Sequence, residues 1–412
     1  MAELALPLTI PFSNKMREFI EGRRETFAIL EKKIDREDKV IWFHMASLGE
    51  FEQGVPILNI TRTIFPTHKI VVSFFSPSGY EQKKTTPLAN AVVYLPIDTQ
   101  SNAQKFIDLV HPDVVIFIKY EFWPNYLKEL KKRKIRTLLV SGGFRQDQLF
   151  FKSYGGWMRK SLESFEHFFV QNTASKKLMN SIGFQNVTVS GDTRFDRVAA
   201  QLEQNNKLGF IEDFLGDELC FVAGSTWPED EELLSEFINK DVTGTKFIIA
   251  PHQIKAEGIG NLKKKISAEV VLFSEKEDKE LSGFRVMIID TIGILTKIYN
   301  YADIAYVGGA VGTTGLHNIL EAATFGIPVI TGPNIEKFPE ALRLRQLAGL
   351  YTVSDIKELD DILSKFIKDR NFREKTGMIC GHYISSNVGA TKIIEQYLTD
   401  NMLKSHKLSV ES

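Results

Sequence analysis

The chain has 412 residues, 43% of them hydrophobic and 25% charged, enough to bury two sizeable cores, and it holds no run of about 18 apolar residues of the kind that spans a bilayer. Net charge is −1 and neither a nucleic-acid recognition motif nor a P-loop occurs, which excludes the basic nucleic-acid binders and the P-loop nucleotidases. The two cysteines, Cys220 and Cys380, give no disulfide framework and fit a reducing cytoplasm.

In chain order, the opening segment 1–12 is apolar but short and broken by Pro7 and Pro11, so it reads as a surface-lying or trimmed anchor, or as a frayed terminus. Apolar, β-rich runs follow at 40–45, 69–75, 92–95, 114–119, 136–141, 167–170 and 187–189, most of them separated by helix-like stretches. The first ends in Ala46-Ser47-Leu48-Gly49 and a helix starting near Glu50, which puts a carboxylate at a strand's carboxyl end. Flanked by Leu48 and Phe51, Glu50 can act as a general base of raised pKa, or it can simply pair with the helix dipole. The fourth run ends in Lys119, Glu121, Trp123, Pro124 and Asn125, a charged pair beside an aromatic that suits a sugar or, equally, a packed turn. Arg145 and Arg194 each follow a strand end, as bidentate ligands for a carboxylate or phosphate or as structural ion-pair partners. The dense run 128–136, KELKKRKIR, reads as a solvated helix face or as an anion contact.

After a polar stretch at 201–217 the alternation restarts, with runs at 219–223, 246–250, 270–273, 286–289, 304–307 and 328–330. Two doubly wound Rossmann-like domains in series follow, α/β in class, divided as 1–205 and 206–412 and facing across a cleft, with the last helix able to pack back on the first domain. Gly224-Ser225-Thr226 offers phosphate or sugar contacts, or else an N-cap before the acidic first turn PEDEE. Pro251 and His252 close the next strand, and Asp290 to Leu295, with Gly293 and Ile294, open a helix. In 306–334, YVGGAVGTTGLHNILEAATFGIPVITGPN, an apolar run enters a loop with Gly308, Gly309, Gly312 and Gly315. His317, Asn318, Ile319, Leu320 and Glu321 are expected in the first turns of a helix, whose amides would meet a phosphate while Glu321 takes a ribose diol. Charge divides with the domains. Residues 1–200 carry 28 Lys and Arg against 21 Asp and Glu, net +7, and residues 201–412 carry 23 against 31, net −8, so the first half is the one to meet something anionic, a phosphorylated substrate or a membrane face. The eight histidines lack ligand spacing and no Asp-x-Asp appears, so no metal is expected.

The set ASLGEFEQGVPIL, EFWPN, GDTRFD, GSTWPEDEE, APHQ, DTIGIL and GLHNILEAATFGIPVITGPN resembles, in order from about residue 12 to the end, the Kdo transferases, which move 3-deoxy-D-manno-octulosonic acid (Kdo) from CMP-Kdo to the lipid A precursor in lipopolysaccharide biosynthesis. The resemblance implies a metal-independent, inverting GT-B glycosyltransferase without a cofactor, CMP-Kdo being a donor substrate. It implies Glu50 as general base, Glu121 and Arg194 as supports of the transition state or donor carboxylate, and Pro251, His252, Gly293 to Leu295 and Asn318 to Glu321 as CMP contacts. It further implies work at the cytoplasmic face of the inner membrane, peripherally or through an anchor missing from this chain. This sequence departs from the family pattern at Lys119-Tyr120-Glu121, where Glu-Thr-Glu is usual, at His252, where arginine is common, and at Arg194, where lysine is common. A UDP-sugar 2-epimerase of the same architecture, or another nucleotide-sugar transferase, would share the glycines. A catalytically silent membrane-surface scaffold would not need Glu50.

Overall fold

The structure is a computed structural model and describes residues 22–119 and 121–403; the apolar segment 1–12 and Tyr120 lie outside the described residues. The chain forms two compact units, the first running to Arg197 and resuming at Val388, the second running from Val198 to Asn387.

Seven parallel strands make the first sheet: β1 (Val40–His44), β2 (Lys69–Phe74), β3 (Ala91–Tyr94), β4 (Val114–Ile118), β5 (Arg136–Gly142), β6 (His167–Val170) and β7 (Val187–Val189), in the order β3-β2-β1-β4-β5-β6-β7. Because side chains alternate across a strand, a sheet covered on both faces needs strands that are apolar throughout, and VIWFH of β1 is buried at all five positions. Val40 and Trp42 pack into one core with Val71, Val115 and Leu139. Ile41 and Phe43 pack into the opposite core with Val72, Ile116 and Val140. The helix Ala390–Leu398 belongs to this unit and puts Ile394 and Leu398 into the second core. Gly389 offers no side chain to cap it, and Asp196 does so instead, accepting from the N–H groups of Gly389 (2.7 Å) and Thr391 (3.3 Å).

The second sheet is also parallel: β8 (Cys220–Thr226), β9 (Lys246–Pro251), β10 (Val270–Leu272), β11 (Val286–Ile288), β12 (Ile304–Val307), β13 (Val329–Thr331) and β14 (Leu350–Thr352), ordered β10-β11-β9-β8-β12-β13-β14. Sequence periodicity supplies thirteen of these fourteen strands. The one it misses is the three-residue edge strand β14, Leu350–Thr352, which pairs with β13.

In the first sheet the strand order reverses between β1 and β4; in the second it reverses between β8 and β12, and β10 and β11 are also exchanged at the edge. There the crossover helices diverge and leave a crevice at the carboxyl ends, the place where open α/β sheets bind ligands. Among the described residues no helix is long and apolar enough to cross a membrane, and no group of three or more His, Cys, Asp or Glu side chains gathers as metal ligands.

Candidate active site

At the reversal point of the first sheet, β1 delivers Glu50 and β4 delivers Lys119 and Glu121. Ser47 is extended and precedes the helix Leu48–Ile64, so Glu50 is its third residue and folds back. Its Oε2 accepts the N–H of Ala46 at 2.5 Å, and the residue is 6% exposed. The two sequence readings of Glu50 therefore coincide, since the carboxylate closes the helix start and is also desolvated. Burial, foremost, and the nearby Glu121 push its pKa up to about 7, against the opposing pull of the Ala46 and Ser47 N–H groups and of Lys119. A carboxyl of that pKa exchanges a proton readily at neutral pH.

Beside it lies a neutral histidine that the sequence pattern did not reveal. His44, at the end of β1, is fully buried. Its Nε2 accepts the indole N–H of Trp123 at 2.9 Å, so the ring proton sits on Nδ1 and points to Ser73 Oγ at 2.8 Å. The approach of His44 Nε2 to Glu121 Oε2, 3.9 Å, is accordingly not an ion pair. Trp123 also lies against Phe75 with ring centroids 4.6 Å apart, while Asn125 is held by the loop at Asp98, its N–H and Nδ2 both donating there. Trp123 thus positions His44, and Asn125 is structural. Lys119 holds φ +75°, a conformation that costs a non-glycine residue about 1–2 kcal/mol, which β4 imposes where the chain leaves the sheet.

Arg194 is engaged by Asp192, to which its Nε (2.9 Å) and Nη2 (2.8 Å) both donate, and Asp192 is 8% exposed. Of its two sequence readings the ion pair is present, and it fixes the guanidinium beside the turn after β7. Arg145 lies on an exposed loop, 3.6 Å from Asp147. Most of the cationic run 128–136 is ion-paired as well: Lys131 with Glu163, Lys132 with Glu129, Arg133 with Asp108 and Glu129, Arg136 with Glu166.

At the reversal point of the second sheet, β12 ends in the glycine loop. Gly309 has φ +95°, and a Cβ there would fall 2.2 Å from Gly315 O; Gly315 has φ +98°. Asp230, fully buried at the start of the helix Pro228–Lys240, anchors the loop by accepting from Tyr306 OH (2.7 Å), Trp227 N (2.9 Å) and Gly309 N (2.9 Å). His317 N returns to Gly308 O and closes the loop. The expected helix start differs here: the helix is only Leu320–Ala323, and His317, Asn318 and Ile319 precede it. Asn318 Oδ1 caps Leu320 N, its Nδ2 donates to Glu321 Oε1, and Thr296 Oγ1 donates to Glu321 Oε2 at 3.4 Å. The amides of Gly309 and Leu320 are thus satisfied within the protein, and Glu321 ties the loop to the segment of Gly293, Ile294 and Leu295. That segment likewise leads into a helix of only four residues, Leu295–Ile298.

Thr226 Oγ1 donates to the Glu231 carboxylate at 3.1 Å, while the helix start itself falls at Trp227, whose N–H goes to Asp230; Ser225 holds φ +55°. Pro251 and His252 close β9. His252 lies against Trp227 (centroids 4.8 Å) and against His317 (4.3 Å), and Trp227 Nε1 donates to His317 Nε2 at 2.9 Å. Burial, and then His252, pull the pKa of His317 down to about 4, and burial lowers that of His252, so the three-ring cluster is neutral at pH 7 and can stack on a planar ligand.

Residues 21–197 match the family described as 3-deoxy-D-manno-octulosonic-acid transferase (kdotransferase). Over 84% of its length the chain is 28% identical to a 3-deoxy-D-manno-octulosonic acid transferase of Aquifex aeolicus, of which it covers 91%. Over 91% of its length it is 25% identical to a bifunctional glycosyltransferase/methyltransferase of Fusobacterium nucleatum, of which it spans only 59%. Among solved structures, UDP-GlcNAc 2-epimerase from Neisseria meningitidis superimposes with a TM-score of 0.63 at 17% identity, covering 88% of this chain and 100% of that one, a likeness of fold. The chain has the GT-B fold and is a glycosyltransferase that resembles the Kdo transferases over most of its length.

Proposed function

We propose that the chain transfers Kdo from CMP-Kdo to a sugar hydroxyl of a phosphorylated lipid A precursor, with inversion at the anomeric carbon. The observation that carries this reading is the buried Glu50 carboxyl, raised to about 7 at the reversal point of the first sheet, with Glu121 and Lys119 beside it. Glu50 takes the proton of the acceptor hydroxyl, the oxygen attacks the anomeric carbon, and the bond from that carbon to the CMP phosphate breaks, its electron pair leaving with CMP. CMP is already a good leaving group, so stabilising its charge matters more than protonating it. Glu121 and Arg194 support the transition state or the donor carboxylate, and the Asp192 pairing sets where the Arg194 charge can act.

The first unit handles the acceptor and the base. The second binds the CMP sugar through Ser225, Pro251, His252, Gly293, Ile294, Leu295, Gly309, Gly315 and Asn318 to Glu321, with the His252 face of the three-ring cluster toward the base or ribose. The reaction uses no cofactor. The +7 charge of residues 1–200 supports work at the cytoplasmic face of the inner membrane. The test is CMP release from CMP-Kdo with and without a lipid A precursor, with mass spectrometry of the glycolipid. Acceptor-dependent release with a Kdo-sized mass gain supports the reading, whereas epimerisation of a UDP sugar with no CMP chemistry moves the chain to the other reading of its architecture.

A further inference from the structure

Glu50 is only as well placed as the first turns of its helix, and those turns are tied down from outside. Gln53 is 1% exposed and lies three residues after Glu50 on the same helix side. Its Nε2 donates to Asp192 Oδ1 at 3.2 Å, and its carbonyl accepts from Thr193 Oγ1 at 2.6 Å. Thr193 is fully buried and lies 2.9 Å from Ser141 Oγ at the end of β5, where Ser141 adopts φ +54°. The second Asp192 oxygen accepts from Gln171, just past β6, at 3.1 Å, and from Arg194. Glu52 is held by Arg197 at 2.5 Å and by Lys83 at 3.1 Å. One buried network therefore joins the ends of β5, β6 and β7 to the helix that follows β1. The segment carrying Asp192, Thr193 and Arg197 is itself staked at Asp196 by the N–H groups of Gly389 and Thr391.

We propose that Asp192 and Thr193 are positioning residues, which through Gln53 lock the first turns of the Glu50 helix and keep the Glu50 carboxylate in its buried seat beside Glu121. The proposal rests on Glu50 being the general base. Helix starts fray because their first amides lack partners within the helix. Cutting the Gln53 ties lets the Glu50 turn open toward water and widens its distance to any acceptor hydroxyl. The charged groups acting on Glu50 are Glu121 and Lys119 from the end of β4; on its own helix Glu52 is already paired. Opening removes both the desolvation and the proximity to Glu121, so the proton affinity of Glu50 falls.

The experiment compares Thr193→Val, which exchanges the hydroxyl for a methyl of equal shape, the double variant Gln53→Met with Thr193→Val, the conservative Thr193→Ser, and Glu50→Gln. The readout is the pH dependence of kcat/KM for CMP-Kdo with a lipid A precursor. In the double variant kcat falls at least about tenfold, KM for CMP-Kdo stays within about twofold, and the acid limb moves down by about one pH unit or more; Thr193→Ser behaves as wild type. Thr193→Val alone moves the limb in the same direction and serves if the double variant does not fold. An acid limb unmoved in both variants, with Glu50→Gln inactive, overturns the positioning role and leaves the base intact. Wild-type activity in Glu50→Gln overturns the base itself, and the positioning role with it.

Discussion

Replacing Glu50 with Gln should stabilise the protein while it abolishes turnover, and the stabilisation should depend on pH in a direction the structure fixes. In an unfolded chain a glutamate ionises near 4.5, whereas in the fold burial and Glu121 raise Glu50 to about 7. Between those values the native state keeps a proton that the unfolded state gives up, so stability is lost as pH rises from about 4.5 to 7, and above 7 the full cost of a buried carboxylate is present. A displacement of this size corresponds to about 3 kcal/mol at most. Gln keeps the shape, and its Oε1 can still accept from Ala46 N, while nothing remains to ionise. The assay is urea unfolding of wild type and Glu50→Gln at pH 5 and pH 8, followed by tryptophan fluorescence, to which Trp42, Trp123 and Trp157 report from the first unit. At pH 8 the variant should be more stable by about 2–3 kcal/mol, and at pH 5 by less than about 1 kcal/mol. An equal difference at both pH values, or a variant less stable at pH 8, refutes the reasoning about the buried carboxyl.

Further outcomes concern Asp230, two helix glycines and His317. Asp230→Ala strands the Tyr306 hydroxyl and the Trp227 and Gly309 amides, each lost partner costing about 1–3 kcal/mol, so its unfolding midpoint should drop by roughly 10 °C while Asp230→Asn falls between it and wild type in thermal melts. Gly→Ala in a helix usually gains about 0.5–1 kcal/mol, but at Gly377 the new Cβ would lie 2.1 Å from the backbone oxygen of Gly326, so Gly377→Ala should lose about 1–3 kcal/mol. At Gly54 the Cβ would meet the mobile thioether end of Met45, and Gly54→Ala should stay within about 1 kcal/mol of wild type, the two being compared by chemical denaturation. For His317, whose pKa drops from 6.5 to about 4 on folding, the stability present above pH 6.5 is lost as pH falls toward 4, by about 1–2 kcal/mol once solvent access to the ring is allowed for. His317→Gln should flatten that part of the stability–pH curve, as thermal melts from pH 4 to 7 will show.

The architecture was legible because parallel strands buried on both faces write themselves as apolar runs, and VIWFH or VVIFI cannot be mistaken for a solvated surface. The place of Glu50 was legible for the same reason, since its helix starts a few residues after such a run. What stayed hidden is the pairing of distant residues. Arg136 reads as part of a basic stripe until Glu166 closes on it, and Asp230 reads as one of five residues in an acidic turn until Tyr306 and Gly309 point their donors at it. His44 carries no signal at all in a strand of hydrophobes. Its role depends on Trp123, which lies 79 residues away. The helix after the glycine loop starts later than its pattern suggests, because Asn318 Oδ1 accepts the N–H of Leu320 and so stands outside the helix. The anchoring of the loop by Asp230 and of Leu320 by Asn318 then takes over a task that longer helices leave to a ligand.

The most direct measurement is the rate of CMP release from CMP-Kdo with a lipid A precursor, by wild type and Glu50→Gln, from pH 5 to 9. The account predicts acceptor-dependent release that rises with pH through an acid limb near 7, a Kdo-sized mass gain in the glycolipid, and loss of about 10²–10⁴-fold in the variant at every pH. Release that survives the substitution, or that needs no acceptor, would contradict it.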